Sequence, residues 1–486
     1  MDFLNKISKK DYIKSFLGLI LIYSISISAL IRANYYYIDD LSRASSGMKG
    51  WDHFSRYISV WLSQIIHADS YLTDISPLPQ LIAIVFLALA ATILLHMLKQ
   101  EKITFWMIIA AVPLALTPYY LECLSYKFDA PYIALSVLVS IAPVLIWGDT
   151  TKSRIIYAIS VVAGALIMCM TYQASSGIFP MLVAAVAFKR WNAGEKTKQV
   201  LILIAISAAA YVVGVGIFKY FILKPVFSYV TTYQAPVSSL PAVTFSNLKT
   251  YFTVIFRDFK PAWLILSGAI ALDFIIASTL NSNKNKVLAF VISLLTAAVM
   301  LLMSFGAYAL LEKSFYNPRA MYGIGVCIAM LGISATAQKH SWISRISAVA
   351  LAWMFIVFAF TYGNCLNVQA KYTDFRVNQI IADLNDLEEF NNDNMKTVKF
   401  SGSIGLSPII NNISRSDYTM LDSLIPTPFG DQTDLSTTGF YYYYNIPNIV
   451  RYDLFTQLDA DKLPVLKDTM YHTIRGDGTQ FLIELK

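Results

Sequence analysis

Long apolar runs recur along the chain as far as residue 362, and they restrict its fold more than any other feature. The runs Leu78–Leu98 and Val200–Phe221 are each long enough to cross the roughly 30 Å hydrocarbon core of a bilayer as a helix. Hydrophobic residues make up 56% of the 486 residues and charged residues only 14%. A soluble core cannot hide that much apolar surface. The sequence therefore predicts a polytopic α-helical membrane protein.

The apolar runs predict about eleven membrane-spanning helices. The predicted spans are Ile13–Ile31, Leu78–Leu98, Ile103–Thr117, Pro131–Trp147, Ile155–Met170, Ser176–Phe188, Val200–Phe221, Pro261–Leu280, Val287–Leu311, Met321–Ala337 and Ile343–Tyr362. The fifth and sixth are shorter than the ~20 residues that a perpendicular span needs, so a broken or re-entrant hairpin is an alternative there. If only one of the two crosses the membrane, every later segment lies on the opposite side.

Basic residues fall in short loops between alternate runs, and this distribution predicts the orientation of the chain. Four lysines before or at the start of the first span place the amino terminus in the cytoplasm by the positive-inside rule: Lys6, Lys9, Lys10 and Lys14. The later cytoplasmic loops carry Lys99, Lys102, Lys152, Arg154, Lys189, Arg190, Lys196, Lys198, Lys284, Lys286, Lys339 and Arg345. The net charge of +7 is therefore a topology signal, and we predict membrane lipids, not nucleic acid, as partners.

The opposite face receives the longer loops and the carboxy-terminal region. Within a transmembrane domain of residues 1–362, the predicted external loops are 33–77, 118–130, 224–260 and 312–320. From Gly363 onwards, charged and Asn-rich sequence replaces the apolar runs, so residues 363–486 are predicted to form a small external α/β domain. Local patterns predict an interfacial amphipathic helix at Trp51–His67, a helix near Val377–Leu387, and strands at Thr397–Ser401, Phe440–Tyr444 and Tyr471–Lys486.

The cysteines and histidines do not have metal-binding spacing. Cys123 and Cys365 are both predicted at the outer ends of spans, so the sequence is compatible with a disulfide between them. His53 and His67 lack an HExxH or comparable cluster and are interpreted as ordinary surface residues. We predict no metal site and no cofactor, and a metal requirement for the reaction stays open.

Two adjacent carboxylates, Asp39 and Asp40, follow the tyrosine run Tyr35–Tyr37 directly after the first span. In an arbitrary membrane protein they would be interpreted as solvated loop charges beside an aromatic belt. The wider succession of motifs favours a catalytic interpretation instead.

A set of short motifs on the predicted external face resembles a known family. They are Tyr36-Tyr37-Ile38-Asp39-Asp40 with Arg43 and Gly50-Trp51, then Leu124 to Pro131, Tyr172-Gln173-Ala174-Ser175 and Asn317-Pro318-Arg319. In content, order and chain length the sequence resembles the bacteriophage-type O-antigen glucosyltransferases that convert serotype, which are GT-C-type enzymes. The resemblance covers essentially the whole chain.

The resemblance implies transfer of glucose from undecaprenyl phosphate glucose to a sugar of the lipid-linked O-antigen of lipopolysaccharide. The implied location is the periplasmic face of the bacterial inner membrane. One carboxylate suffices as general base for an inverting displacement, because the lipid phosphate leaves without needing an acid. We assign this role to Asp39 or Asp40, with preference for Asp40, and the partner residue would orient the base or bind a sugar hydroxyl.

The leaving phosphate requires cations at the level of the lipid headgroups. Arg319 is the first candidate, because a guanidinium can bind phosphate oxygens bidentately. Lys127 and Lys313 are further candidates, although a lysine in such a place can also be a snorkelling side chain beside anionic lipids.

Five further residues are predicted to bind substrate. They are Asp129, Glu122, Gln173, Arg43 and Tyr441. Glu122 and Asp129 flank Lys127 and are interpreted either as an orienting acid and a sugar-hydroxyl acceptor or as a local ion-pair set. The resemblance favours Asp129 over Glu122. The Tyr441 ring could stack on the acceptor sugar, or it could be buried by the alternation of a strand.

A transporter or flippase of a lipid-linked sugar is the alternative function. The sequence shows no internal repeat that relates its two halves and no matched pair of Gly/Pro-broken spans. The motif succession therefore favours the enzyme.

Overall fold

The computed structural model describes residues 9–224, 234–339, 341–427, 429, 432, 440–451 and 456–486. Helices dominate the first three quarters of the chain, and a small sheet follows. The helices up to residue 217 are α1 Lys9–Ser26, α2 Ser28–Ala33, α3 Asp40–Ser46, α4 Tyr57–Ile66, α5 Leu78–Leu98, α6 Phe105–Ala110, α7 Pro113–Leu116, α8 Pro118–Ser125, α9 Ala130–Ile141, α10 Thr151–Cys169, α11 Ile178–Asn192 and α12 Thr197–Ile217. The later ones are α13 Leu240–Asp258, α14 Pro261–Leu280, α15 Lys286–Met303, α16 Pro318–Met321, α17 Gly323–Thr336, α18 Trp342–Asn385, α19 Pro408–Ser416 and α20 Leu421–Leu424.

Among the described residues, seven helical segments are long and apolar enough to cross a membrane. They are Leu78–Leu98, Thr151–Cys169, Thr197–Ile222, Pro261–Leu280, Lys286–Met303, Pro318–Thr336 and Trp342–Asn385. An eighth crossing results if Phe105–Leu116 and Pro118–Ser125, bent by 57°, are counted as one span. These helices make the chain a polytopic helical membrane protein, but the predicted count of eleven is not confirmed.

The other three predicted spans coincide with shorter or interrupted helices. The first run is divided into α1 and α2, and the run before Trp147 is divided into α9 and a 3-10 turn at Ala142–Ile146. The sixth run lies in α11, which has 15 residues. The uncertain pair is therefore two separate helices, α10 and α11, joined by a 3-10 turn at Gln173–Gly177.

Prolines explain the interruption around residue 117. Pro113 and Pro118 each begin a new helix, α7 and α8. A proline is tolerated in a first helical turn but lacks the N–H that would continue a preceding helix. The segment 118–130, predicted as an external loop, is consequently a buried helix followed by a short turn. The segment 224–260, also predicted as a loop, contains α13.

The predicted basic loops lie together at one end of the helical bundle. The contacts that join them are Lys189 Nζ to the Met97 carbonyl at 2.8 Å, Asn283 N to the Asn192 carbonyl at 3.0 Å, Asn281 Nδ2 to the Lys339 carbonyl at 3.3 Å, and Arg190 to Asp149 at 3.7 Å. The segments predicted to be external, with α3 and α8, lie at the other end. The loops predicted to share one side of the membrane thus share one end of the bundle.

Helix α18 has 44 residues and continues well past Gly363, where a domain boundary was predicted. A Cβ at Gly363 would overlap the backbone of Ala29 and Leu30, so this glycine lets α18 pack closely against α2. The helix predicted near Val377–Leu387 is confirmed as the last part of α18, which contributes Val377, Ile380 and Leu384 to a second apolar core.

The four strands are β1 Thr397–Gly402, β2 Val465–Asp468, β3 His472–Gly476 and β4 Gln480–Leu485, in the order β1-β4-β3-β2. Strand β1 is parallel to β4, with Thr397 opposite Gln480. The predicted strand at residues 397–401 and the hairpin with its turn at Asp477-Gly478 are confirmed.

The predicted strand at Phe440–Tyr444 is wrong, because residues 440–443 are helical. Phe440 and Tyr441 are buried while Tyr443 is exposed, and Phe440 packs on Phe400 and Phe429.

Two other expectations are also corrected. The four cysteines are buried and free, so no Cys123–Cys365 disulfide forms. The amphipathic segment is broken at Ser55 (φ 57°) into a 3-10 turn, Trp51–Phe54, and α4.

Candidate active site

Asp40 is the first residue of α3 and lies buried at the end of the bundle opposite the basic loops. Its Oδ2 accepts hydrogen bonds from the backbone N–H groups of Tyr37 (3.1 Å) and Lys127 (2.9 Å). Its Oδ1 is buried and has no hydrogen-bond partner among the described residues. Burial raises the pKa of Asp40 to about 7, against the opposing effects of Arg43 and of the two N–H donors. By contrast, the Asp39 side chain is 47% exposed.

Arg43 lies one turn beyond Asp39 and is held by a buried carboxylate. Its Nη1 is ion-paired with Asp129 Oδ2, and its Nη2 lies 3.6 Å from Asp39 Oδ2. The other oxygen of Asp129 accepts a hydrogen bond from Trp51 Nε1 at 2.5 Å, and the Arg43 guanidinium stacks 4.6 Å from that indole ring. Both oxygens of Asp129 are therefore occupied. Asp129 was predicted to bind a sugar, but in the structure it positions Arg43.

Lys127 belongs to the Asp40 side of the site. Its Nζ is 3.1 Å from Asp74 Oδ2 and 3.9 Å from the centroid of the Tyr36 ring. Tyr36 in turn contacts Tyr443 edge to face, with ring centroids 6.0 Å apart. Lys127 is thus neutralised by Asp74 beside two tyrosines, one of which comes from the carboxy-terminal region.

Glu122 on α8 and Arg319 on α16 form the opposite side. Arg319 Nη1 is 2.8 Å from Glu122 Oε1, and the Arg319 backbone N–H binds the other oxygen of Glu122. The guanidinium lies 5.0 Å from the Phe315 ring and 5.5 Å from the Tyr126 ring. Glu122 therefore orients Arg319 and does not present a free carboxylate to a sugar.

Tyr126 connects the two sides. It directly precedes Lys127, whose N–H binds Asp40, and its ring packs 4.7 Å from Tyr37 on one side and near Arg319 on the other. Most residues singled out from the sequence therefore converge on one cluster, which we call the carboxylate–arginine cluster. It contains Asp39, Asp40, Arg43, Asp74, Glu122, Lys127, Asp129 and Arg319.

Sequence reasoning missed two residues here, namely Asp74, which belongs to this cluster, and Arg56, which adjoins it. Arg56 lies between the Trp51–Phe54 turn and α4; its guanidinium is 5.0 Å from the Phe54 ring and 4.6 Å from the Tyr172 ring. Its Nε donates to Gln173 Oε1 at 3.2 Å, so Gln173 is a neighbour of Arg56. The aromatic residues next to Arg56 in the amphipathic stripe were the available signal.

Two predicted site residues lie apart from the cluster. Lys313 is exposed and forms no ion pair with any residue in the described ranges. Tyr441 is 2% exposed, and its hydroxyl donates to the Val398 carbonyl inside the carboxy-terminal core. Its ring therefore cannot stack on a sugar. Within the described ranges, no three His, Cys, Asp or Glu side chains converge as a metal-ligand set.

This fold and cluster define a class: a polytopic membrane protein with a buried carboxylate and several arginines at one end of its helical bundle. The family model described as glucosyl transferase GtrII matches residues 28–330. The chain belongs to this GtrII glucosyl transferase family and is a glycosyltransferase, which confirms the resemblance and favours the enzyme over the transporter. It is also similar to an uncharacterized 55.3 kDa protein in the gtrB 5' region of Salmonella phage P22, with 26% identity over 433 residues, 85% of this chain and 86% of that protein.

Proposed function

We propose that this glycosyltransferase moves glucose, with inversion, from undecaprenyl phosphate glucose to a sugar of lipid-linked O-antigen and so causes serotype conversion. The reaction takes place on the periplasmic face of the bacterial inner membrane. Family membership supports glucosyl transfer. The donor, the acceptor and the side of the membrane are our inferences from the site and the charge distribution.

Asp40 is the proposed general base. It takes the proton of the acceptor hydroxyl while that oxygen bonds to the anomeric carbon and the bond from this carbon to the phosphate oxygen breaks. The observation that carries this assignment is the free Oδ1 of Asp40, in a buried carboxylate whose Oδ2 is fixed by two backbone N–H groups. An oriented carboxylate with one uncommitted oxygen is suited to accept a single proton.

The periplasmic location is supported by the loop charges. The basic loops gather at the end of the bundle opposite Asp40, and the positive-inside rule assigns a basic end to the cytoplasm. The site, together with residues 363–486 as the proposed external domain, then faces the periplasm.

The donor and the acceptor are proposed to approach from different sides of Asp40. The arginine side, with Arg319, suits the phosphate. The side with Tyr36, Asp74 and Tyr443 combines a carboxylate and aromatic rings, which suit the hydroxyls and the C–H face of a pyranose. Asp40 is joined to both sides through Lys127, whose N–H binds Asp40, whose Nζ contacts Asp74, and which directly follows Tyr126 beside Arg319.

The proposal is tested with membranes that contain the protein, labelled undecaprenyl phosphate glucose and lipid-linked O-antigen. We expect label in O-antigen only when both substrates are present. Movement of labelled lipid across sealed vesicles without a new glycosidic bond would instead support the transporter. Transfer from a nucleotide-linked glucose without the polyprenyl donor would contradict the proposed donor.

The transfer rate should depend on the ionisation of Asp40. Because the base acts only when ionised and its pKa is raised to about 7, kcat/KM should rise with pH and level off above about pH 8. Below about pH 6 it should fall nearly tenfold per pH unit. The profile is measured between pH 5 and 9 with purified protein whose folding is checked at each pH. An acidic limb near pH 4, the ordinary carboxyl range, would contradict this assignment.

Tyr443 should contribute to acceptor binding. It is 54% exposed and packs against Tyr36 beside Lys127. Replacing Tyr443 with Ala should raise the KM for the acceptor about 2- to 10-fold with little change in kcat. This increase corresponds to the binding free energy expected for one aromatic contact.

Tyr441 is the matched control for Tyr443. Tyr441→Phe removes the buried hydrogen bond to Val398 and should lower stability by about 1 kcal/mol without changing the acceptor KM. An acceptor KM that changes with Tyr441→Phe and not with Tyr443→Ala would contradict the assignment.

A further inference from the structure

The three cations of the carboxylate–arginine cluster are each paired with a carboxylate, and Asp39 and Asp40 add two further carboxylates. Arg43 is balanced by Asp129, Lys127 by Asp74, and Arg319 by Glu122. Each of the three cations therefore already has a carboxylate within ion-pair distance. None of these pairs supplies a net positive charge for a phosphate.

Arg56 is the exception. It forms no ion pair with any residue in the described ranges, and its one side-chain hydrogen bond there is to the neutral amide of Gln173. Its guanidinium carbon lies within 5.0 Å of two aromatic ring centroids, those of Phe54 and Tyr172. Partial desolvation has the largest effect on the pKa of Arg56 and lowers it. Tyr172 and Tyr308 oppose this effect, and the like charges of Arg319 and Arg43 lower the pKa further. Arg56 is thus an uncompensated cation close to two other arginines.

The proposed reaction needs such a charge. The donor is a phosphodiester with one negative charge, and cleavage of its glycosidic bond leaves a phosphate monoester with two. At the same time, ionised Asp40 becomes neutral by taking the hydroxyl proton. One unit of negative charge therefore moves from the base to the phosphate, and stabilising it calls for a cation that no carboxylate has neutralised.

We propose that Arg56 binds the phosphate of the polyprenyl donor, with Arg319 beside it as an oriented hydrogen-bond donor. The inference rests on the proposed function. Accessibility supports the choice, because Arg43 and Lys127 are buried, whereas Arg56 is partly exposed and the Arg319 side chain is 24% exposed. The Phe54 and Tyr172 rings contact the guanidinium and its Nε donates to Gln173, so the terminal N–H groups are left to form a bidentate contact with a phosphate.

The test measures binding of undecaprenyl phosphate, the reaction product, to full-length protein in zwitterionic nanodiscs. Arg56→Gln should weaken this binding about 10- to 100-fold, the loss expected for a charged hydrogen-bonded contact. The affinity of Arg56→Lys should lie between those of the wild type and Arg56→Gln, because lysine keeps the charge and loses the bidentate geometry. The matched control is Arg154→Gln, since Arg154 also lies over an aromatic ring, Trp147, and donates to a glutamine, Gln199, at the opposite end of the bundle. Arg154→Gln should bind like the wild type.

The outcomes separate the inference from the proposed function. Wild-type protein that binds undecaprenyl phosphate, together with folded Arg56→Gln that binds it equally well, would overturn the role of Arg56 alone. Wild-type protein that does not bind undecaprenyl phosphate would overturn the polyprenyl donor and the inference with it. Competition by inorganic phosphate as effective as by undecaprenyl phosphate would show a site for free phosphate and overturn the lipid assignment.

Discussion

Replacing Asp40 with Asn should reduce the rate of glucose transfer by about 10²- to 10⁴-fold, the contribution expected of a general base. The substitution is nearly isosteric, and the amide oxygen of Asn can still accept the hydrogen bonds from Tyr37 and Lys127. The local fold should therefore persist while the basic oxygen is lost. Initial rates with labelled donor, measured at equal amounts of folded protein, give the comparison.

Asp39→Asn is the matched variant, because the two carboxylates are adjacent and of the same type. Asp39 is half exposed and 3.6 Å from Arg43. Its replacement should lower the rate of glucose transfer only about 2- to 10-fold, because Arg43 loses one weak ion-pair contact. Loss of transfer in Asp39→Asn with activity retained in Asp40→Asn would reverse the two roles. Full activity in both variants would remove the acidic pair from the chemistry.

Replacing Arg319 with Ala should strongly impair both folding and donor use. Glu122 is 1% exposed, and removing its partner leaves a buried carboxylate without a counter-charge, which typically costs about 3–5 kcal/mol. Arg319→Lys keeps a charge near Glu122 and should be milder in both respects. Thermal unfolding and the KM for the donor are the two measurements.

A double substitution separates the structural role of Arg319 from its role at the phosphate. Combining Arg319→Ala with Glu122→Gln removes the buried unpaired charge, so the unfolding temperature should recover by a large part of the loss. Donor use should stay impaired. Recovery of both properties would mean that Arg319 acts only as the partner of Glu122, and equal donor use in wild type, Arg319→Ala and Arg319→Lys would remove it from the site.

Local sequence signals predicted most of the secondary structure. Leu78–Leu98 and Pro261–Leu280 begin and end in the structure at the predicted residues, because the length of an apolar run is a local property. The Asp477-Gly478 hairpin is equally local. Predictions failed where packing overrode propensity. Residues 440–443 are helical, and Phe440 at the start of this turn packs on Phe400 and Phe429. Gly363 marks a close helix contact where a domain boundary was predicted.

The sequence predicted which residues form the candidate site better than it predicted what each of them does. The resemblance to known glucosyltransferases selected Asp40, Arg43, Asp129 and Arg319, which the structure brings together. It did not reveal that Asp129 holds Arg43 or that Glu122 holds Arg319. Arg56 was missed because, in an amphipathic segment, an arginine looks like an ordinary polar residue until the break at Ser55 and the approach of Tyr172 are known.

The sequence by itself determined that this protein lies in a membrane and that its basic loops share one end of the helical bundle. Both follow from sums over neighbouring residues, namely the apolar length of each run and the basic charge of each loop. Only the tertiary structure decided which charges neutralise each other. The partners are 86 residues apart for Arg43 and Asp129 and 197 apart for Glu122 and Arg319, and Coulomb interactions depend on distance in space. The free Oδ1 of Asp40 and the uncompensated charge of Arg56 become visible only after those pairs have formed.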